Sequence, residues 1–96
     1  MKLASRQSKI FADICLIIIY NNGKKSHHQL HTNFKEMGYR NFPSIMGLPQ
    51  LLKYFPYFQQ DESSNWVITE IGITRIEELK IKPPTSRAAK IPEISD

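Results

Sequence analysis

Residues 43–69 read PSIMGLPQLLKYFPYFQQDESSNWVIT. Leu48, Leu51, Leu52 and Phe55 recur at i, i+3, i+4 and i+7, the spacing of one helix face. Ser44 is placed to cap a preceding turn, Gly47 reads as a break, and Pro49 suits the first helical position, where its missing N–H costs nothing. Pro56 ends the helix. Residues 57–60 and 66–69 then predict two strands around the polar turn 61–65. Gln50, Lys53 and Tyr54 fall off the apolar face, where a partner can reach them.

Upstream, Ser26 caps a second helix whose apolar stripe is Leu30, Phe34 and Met37, closed by Gly38. A first helix over residues 5–20 carries Ile10, Phe11, Ile14, Ile17 and Ile18 on one face. Ile17-Ile18-Ile19 would also suit a strand, since β-branched side chains favour strands, but about fifteen patterned residues are long for one. Leu16 and Ile19 lie off the stripe, which predicts burial on most sides. Asn21-Asn22-Gly23 ends this helix with residues that tolerate positive φ. Downstream, Thr74 with Glu77 resembles a capping box, predicting a fourth helix with Ile73, Ile76, Leu79 and Ile81 turned inward. The reading is an α+β winged helix-turn-helix: three helices, a β-hairpin wing and an additional C-terminal helix. It spans residues 5–82, with 83–96 expected to form a disordered or draped tail.

The chain has 96 residues, enough for one domain but not for a deep pocket. Residues 1–60 carry eight Lys/Arg against Asp13 and Glu36, whereas residues 61–96 carry five against seven acids. One positive face is therefore expected. Cys15 is the single cysteine, so no internal disulfide forms, which suits a reducing compartment. The apolar run 14–20 is too short to span a bilayer, and no small-residue cleavage site follows it. An intracellular, cytoplasmic chain is expected.

Catalytic patterns are weak. His27 and His31 are i, i+4 neighbours that could share a zinc ion, with His28 beside them. Further ligands are lacking, and Gln29 stands where a zinc-peptidase motif needs Glu, so the plainer reading is a polar helix face. No serine sits in a nucleophile elbow, and Gly47 and Gly72 are isolated. No enzyme, metal or cofactor is expected.

Lys24, Lys25, Arg40, Gln50, Lys53 and Tyr54 form the candidate nucleic-acid set, with Lys35 nearby. In a winged helix the third helix reads the groove while lysines hold phosphates. Here that helix has no arginine for guanine, and the wing tip carries Asp61 and Glu62, which repel a duplex backbone. Solvated surface lysines are the plainer reading. Tyr54 and Tyr57 are the aromatic candidates for base stacking; Phe55, Phe58 and Trp66 are assigned to the core.

The order of elements, GLPQLLKYFPYF from Gly47 and WVIT from Trp66 resemble the LOTUS (OST-HTH) domain of Oskar, Tudor-domain and limkain-type germline proteins, over about residues 7–80. Met46 stands where that family often has an aromatic. The resemblance implies a non-catalytic adaptor that docks a Vasa-type DEAD-box RNA helicase when an extra C-terminal helix is present. It also implies RNA binding, including G-rich RNA, homodimerisation through the wing side in some members, and residence in cytoplasmic, perinuclear ribonucleoprotein granules. Its helicase-facing surface corresponds to His27, His28, His31, Lys35, Arg75 and Glu78. VITEIGITRIEEL from Val67, with Thr69-x-x-Gly72, resembles instead the ending of prokaryotic winged-helix transcription regulators, implying DNA binding. A homodimerisation module is the third alternative.

Overall fold

Helix α1 (Arg6–Asn22) is the centre around which the other elements assemble. Nine consecutive residues, Phe11 to Ile19, are buried, so the isoleucine run is helical and enclosed, as its length predicts. Neighbours on several sides explain this: α1 packs against α3 (Gly47–Tyr54), α4 (Glu70–Ile81) and strand β2 (Trp66–Ile68). Gly23, at φ +86°, closes α1 with its N–H on the Ile19 carbonyl at 2.8 Å. The computed structural model describes residues 6–83 and 91–95. These form a small α+β domain of four helices and a two-stranded antiparallel hairpin.

Helix α2 (His27–Glu36) starts where Ser26 predicts. The Ser26 hydroxyl accepts from Gln29 N at 3.2 Å, and Gln29 Oε1 accepts from Ser26 N at 2.9 Å. This reciprocal pair satisfies two free donors of the first turn; Ser-x-x-Gln is its legible signature. Leu30 and Phe34 enter the core. The Phe34 ring stacks on Phe42 at 5.3 Å and meets Phe11 edge-on at 5.7 Å, pinning the α2–α3 connection to α1.

Helix α3 begins at Gly47, the residue read as a break; its N-cap is Met46, without a side-chain cap, and Ser44 closes the preceding turn, its Oγ accepting from Gly47 N at 3.0 Å. Pro49 is consequently the third helical residue, not the first. The position still costs no hydrogen bond, since the first turn has no intrahelical acceptors. Leu48, Leu51, Leu52 and Phe55 are buried, as their spacing predicts.

Strand β1 (Phe58–Gln60) pairs with β2, Phe58 opposite Ile68 and Gln60 opposite Trp66. Asp61 Oδ1 organises the turn by accepting from Ser63 N and Asn65 N, both at 2.9 Å. On its other side, Trp66 exchanges two backbone hydrogen bonds with Lys25, at 2.7 and 3.2 Å. This one-residue bridge joins the α1–α2 connection to the hairpin. Phe55, Phe58 and Trp66 are buried.

Helix α4 starts at Glu70, four residues before the predicted cap. Thr69 is the true N-cap: its Oγ1 accepts from Gly72 N at 3.1 Å and donates to Pro56 O at 2.6 Å. Thr74 lies one turn inside, its hydroxyl bonded to Glu70 O. The earlier start changes which residues sit on the packed face. Ile76 and Leu79 are buried, but Ile73 is 43% and Ile81 87% exposed, against expectation. Gly72 permits close packing, because a Cβ there would stand 2.5 Å from Tyr57 O and 2.6 Å from Ile68 Cγ2.

Of the tail, residues 91–95 lie along the body, with Ile91 and Ile94 against the core; the rest of the expected disordered segment, residues 84–90 and 96, is outside the described residues.

Candidate functional site

Helices α2 and α3 pack together and present two polar rows. On α2, His28, Thr32 and Lys35 are exposed at i, i+4 and i+7; on α3, Gln50, Lys53 and Tyr54 are exposed at i, i+3 and i+4. Arg40 is exposed in the connection. Over residues 24–60 the chain carries Lys24, Lys25, Lys35, Arg40 and Lys53 against one acid, Glu36. The five acids of residues 61–83 instead fall on the hairpin and α4.

Two members of the basic set have structural work as well. Lys24 reaches Asp61 at 3.6 Å. The N–H of Asn65, then that of Ser63 and the Lys24 ammonium, hold the Asp61 carboxyl below its ordinary range. Asp61 is thus occupied by the turn, and Glu62 is the exposed acid of the hairpin tip. Lys25 is half-buried at the bridge to Trp66 and, with His28, Gln29, Thr32 and Asn33, lines a shallow polar groove beside α2. Asn33 Oδ1 has no partner there. Gln29, Thr32 and Asn33 were missed from sequence, where only charge and aromaticity marked candidates.

The histidines do not converge. His27 and His28 rings lie 4.4 Å apart, while His31 packs against Phe42 at 5.0 Å. Desolvation, then the adjacent His28, lowers the His27 pKa below its ordinary value, and His27 Nδ1 is buried without a partner. Among the described residues, no three His, Cys, Asp or Glu side chains are grouped to hold a metal ion. Burial pushes the Cys15 thiol far above its ordinary value, leaving it protonated and unreactive.

Arg75 is not the free surface cation its helical position suggests. Its Nε and Nη2 donate to Asp13 Oδ1 and Oδ2 at 3.0 and 2.9 Å, and Nη1 reaches Glu78 at 3.2 Å. The Asp13 side chain is only 3% exposed. This two-pronged pair ties α4 to α1 and satisfies a carboxylate that would otherwise be stranded. Asp13 is the most consequential residue the sequence reading passed over; an acid inside an apolar helix run is its signal. Glu78 remains exposed. The two halves of the helicase-facing set therefore occupy different packing units, α2 against α3 and α4 against α1 and β2. Tyr54 is 51% exposed, whereas Tyr57 is half-buried and stacked on Phe55 at 5.6 Å.

Comparison with protein-family models, curated proteins and solved structures returns no match to this chain. Among the described residues, no helix is long and apolar enough to cross a membrane.

Proposed function

We propose that this chain is a non-catalytic winged helix-turn-helix adaptor of LOTUS type that captures RNA on its α2–α3 face. The element order supports the winged plan: α1, the bridging residue Lys25, α2, α3, the hairpin, then α4. The observation that carries the RNA reading is the exposed row Gln50, Lys53 and Tyr54 on α3. It combines an amide for a base edge, a cation for phosphate and an aromatic ring for stacking. Thr69-x-x-Gly72 does not favour the transcription-regulator reading, because cap and close packing account for both residues. The acidic hairpin tip and the lack of arginine on α3 weigh against duplex DNA.

A LOTUS-type adaptor would bring bound RNA to a DEAD-box helicase within ribonucleoprotein granules. Here the helicase contact would draw on His28, Lys35 and Glu78, since Arg75 is committed to Asp13.

The test is titration of the full chain with a single-stranded G-rich RNA, a DNA duplex and a Vasa-type helicase core at two salt concentrations. RNA affinity should exceed duplex affinity and fall with salt, with Lys53→Glu flattening the salt dependence by about one phosphate contact. Tyr54→Ala should weaken RNA binding about tenfold, within the usual worth of one base–aromatic stack, about 1–3 kcal/mol. Duplex binding tighter than RNA binding would overturn the RNA reading in favour of a DNA regulator. RNA binding unaffected by both substitutions would remove the α2–α3 face from it.

A further inference from the structure

The last turn of α1 holds a side chain used in an unusual way. Asn21 Nδ2 donates to Glu93 O at 2.8 Å, and its Oδ1 accepts from Ser95 N at 2.8 Å. One primary amide thus engages a carbonyl at position i and an N–H at i+2. A neighbouring β-strand addresses an extended peptide through the same two groups, and the contact is blind to the peptide's side chains. Selectivity must come from flanking contacts. Ile91 and Ile94 supply them by packing against the core, and Pro92 between them restrains Ile91 to extended angles.

The groove is larger than this segment fills. A cleft of about 400 Å³ remains, lined from the body by Ile17, Leu79, Lys80 and Pro83. Its lining is apolar apart from Lys80 and the tail's own Glu93; Lys80 sits beside the Tyr20 ring and reaches Glu77 at 3.4 Å. An apolar cleft with a backbone clamp at its edge has the composition of a site for an extended peptide.

We infer that the α1–α4 face is a peptide-binding groove for an extended Ile-Pro-x-Ile segment of a partner protein, occupied in cis by this chain's own residues 91–95. The bound tail identifies the occupant's chemistry: two aliphatic anchors three residues apart, a proline between them, and free backbone groups two positions apart for Asn21. The tail also acts as a built-in competitor. A tethered segment faces its site at an effective concentration of about millimolar, so a partner peptide must exceed that or bind through additional contacts in the cleft. This groove is formed by α1 and α4, so it is independent of the RNA reading, which rests on α2 and α3.

The test uses the full chain and a labelled synthetic peptide, Lys-Ile-Pro-Glu-Ile-Ser-Asp, corresponding to residues 90–96. A tail-released variant, Ile91→Ser with Ile94→Ser, should bind the peptide at least tenfold more tightly than the unmodified chain. Amide signals of Ile17, Asn21, Leu79 and Lys80 should shift on titration. Adding Asn21→Ala should abolish binding in a variant whose helical circular dichroism is unchanged. A second peptide with both isoleucines replaced by serine should not bind. Because the released variant could lose structure, the unmodified chain and Asn21→Ala alone are also compared. In the folded Asn21→Ala chain, residues 91–95 should become more exposed to proteolysis. No peptide binding by a folded, tail-released variant would overturn the inference. So would equal binding of the serine-substituted peptide, unchanged protease protection in Asn21→Ala, or a dimer of the unmodified chain that the tail substitutions convert to monomer. The last result would make the occupant a second copy.

Discussion

Gly72→Ala should destabilise this protein, although a glycine-to-alanine change within a helix ordinarily does the reverse. Gly72 is the third residue of α4 and its φ is not positive, so alanine could adopt the same backbone and gain about 1 kcal/mol of helix propensity. Against that stands the space. The new methyl would lie 2.5 Å from Tyr57 O, 2.6 Å from Ile68 Cγ2 and 3.3 Å from Leu16 Cδ1. Ile68 and Leu16 can rotate, but the Tyr57 carbonyl is main chain and accepts from Thr69 N at 2.9 Å. It cannot retreat without opening the base of the hairpin. Overpacking costs about 1–3 kcal/mol and more when backbone must move, so the upper value applies and the net loss is about 2 kcal/mol. For a domain of this size that lowers Tm by about 8–16 °C. Thermal unfolding followed by circular dichroism measures it, with Thr74→Ala as the control for an exposed position in the same helix. Hydrogen exchange at the Thr69 amide should also accelerate. A Gly72→Ala protein as stable as the parent, with Thr69 equally protected, would refute the close-packing argument.

Three further outcomes follow from the same contacts. Arg75→Ala should cost about 3–5 kcal/mol in urea unfolding because it leaves the Asp13 carboxylate buried and unpaired. Asp13→Ala should cost less, since Arg75, 21% exposed, keeps Glu78 and reaches water; equal costs would contradict this asymmetry. Thr69→Ala should lose about 1–2 kcal/mol by removing both the cap on Gly72 and the bond to Pro56, with Thr69→Ser retaining most of it. The pKa of His27 lies below its ordinary value in the folded state, so the unfolded chain binds more protons there. Its contribution is present above the unfolded pKa near 6.5 and lost as pH falls through the folded value. Unfolding midpoints should decline between pH 7 and pH 5, and His27→Gln should flatten that decline; an unchanged slope would assign it elsewhere.

Legibility varied with the range of the interaction. Ser26, Gly23 and Gly38 marked helix ends correctly because a cap or a positive φ is a requirement local to a few residues. The apolar stripes of α1, α2 and α3 were legible for the same reason, since periodicity alone fixes which side chains share a face. The start of α4 was misplaced because Thr74 with Glu77 carries the local signature of a capping box. Thr69 prevails because its hydroxyl also bonds to Pro56, thirteen residues earlier, and no local pattern records that. The exposure of Gln50, Lys53 and Tyr54 on one row of α3 was legible, because it follows from the apolar spacing of the same helix. Lys24 and Arg75 could not be separated from free surface cations until Asp61 and Asp13 were placed beside them.

By itself, the order of residues determined that four helices and a hairpin form in this order, which faces of α1, α2 and α3 are apolar, and that positive charge gathers in the first half of the chain. These follow from propensity, periodicity and composition, all readable within one or two turns. Only the tertiary structure decided how those pieces constrain one another. Asp13 and Arg75 lie 62 residues apart in sequence, and Asn21 and Ser95 lie 74 apart. Gly72 matters because α1, β2 and the α3–β1 connection converge on the space where its side chain would be. Such contacts depend on which surfaces meet once the chain is packed, and a local pattern carries no trace of a neighbour that arrives from the other end of the molecule.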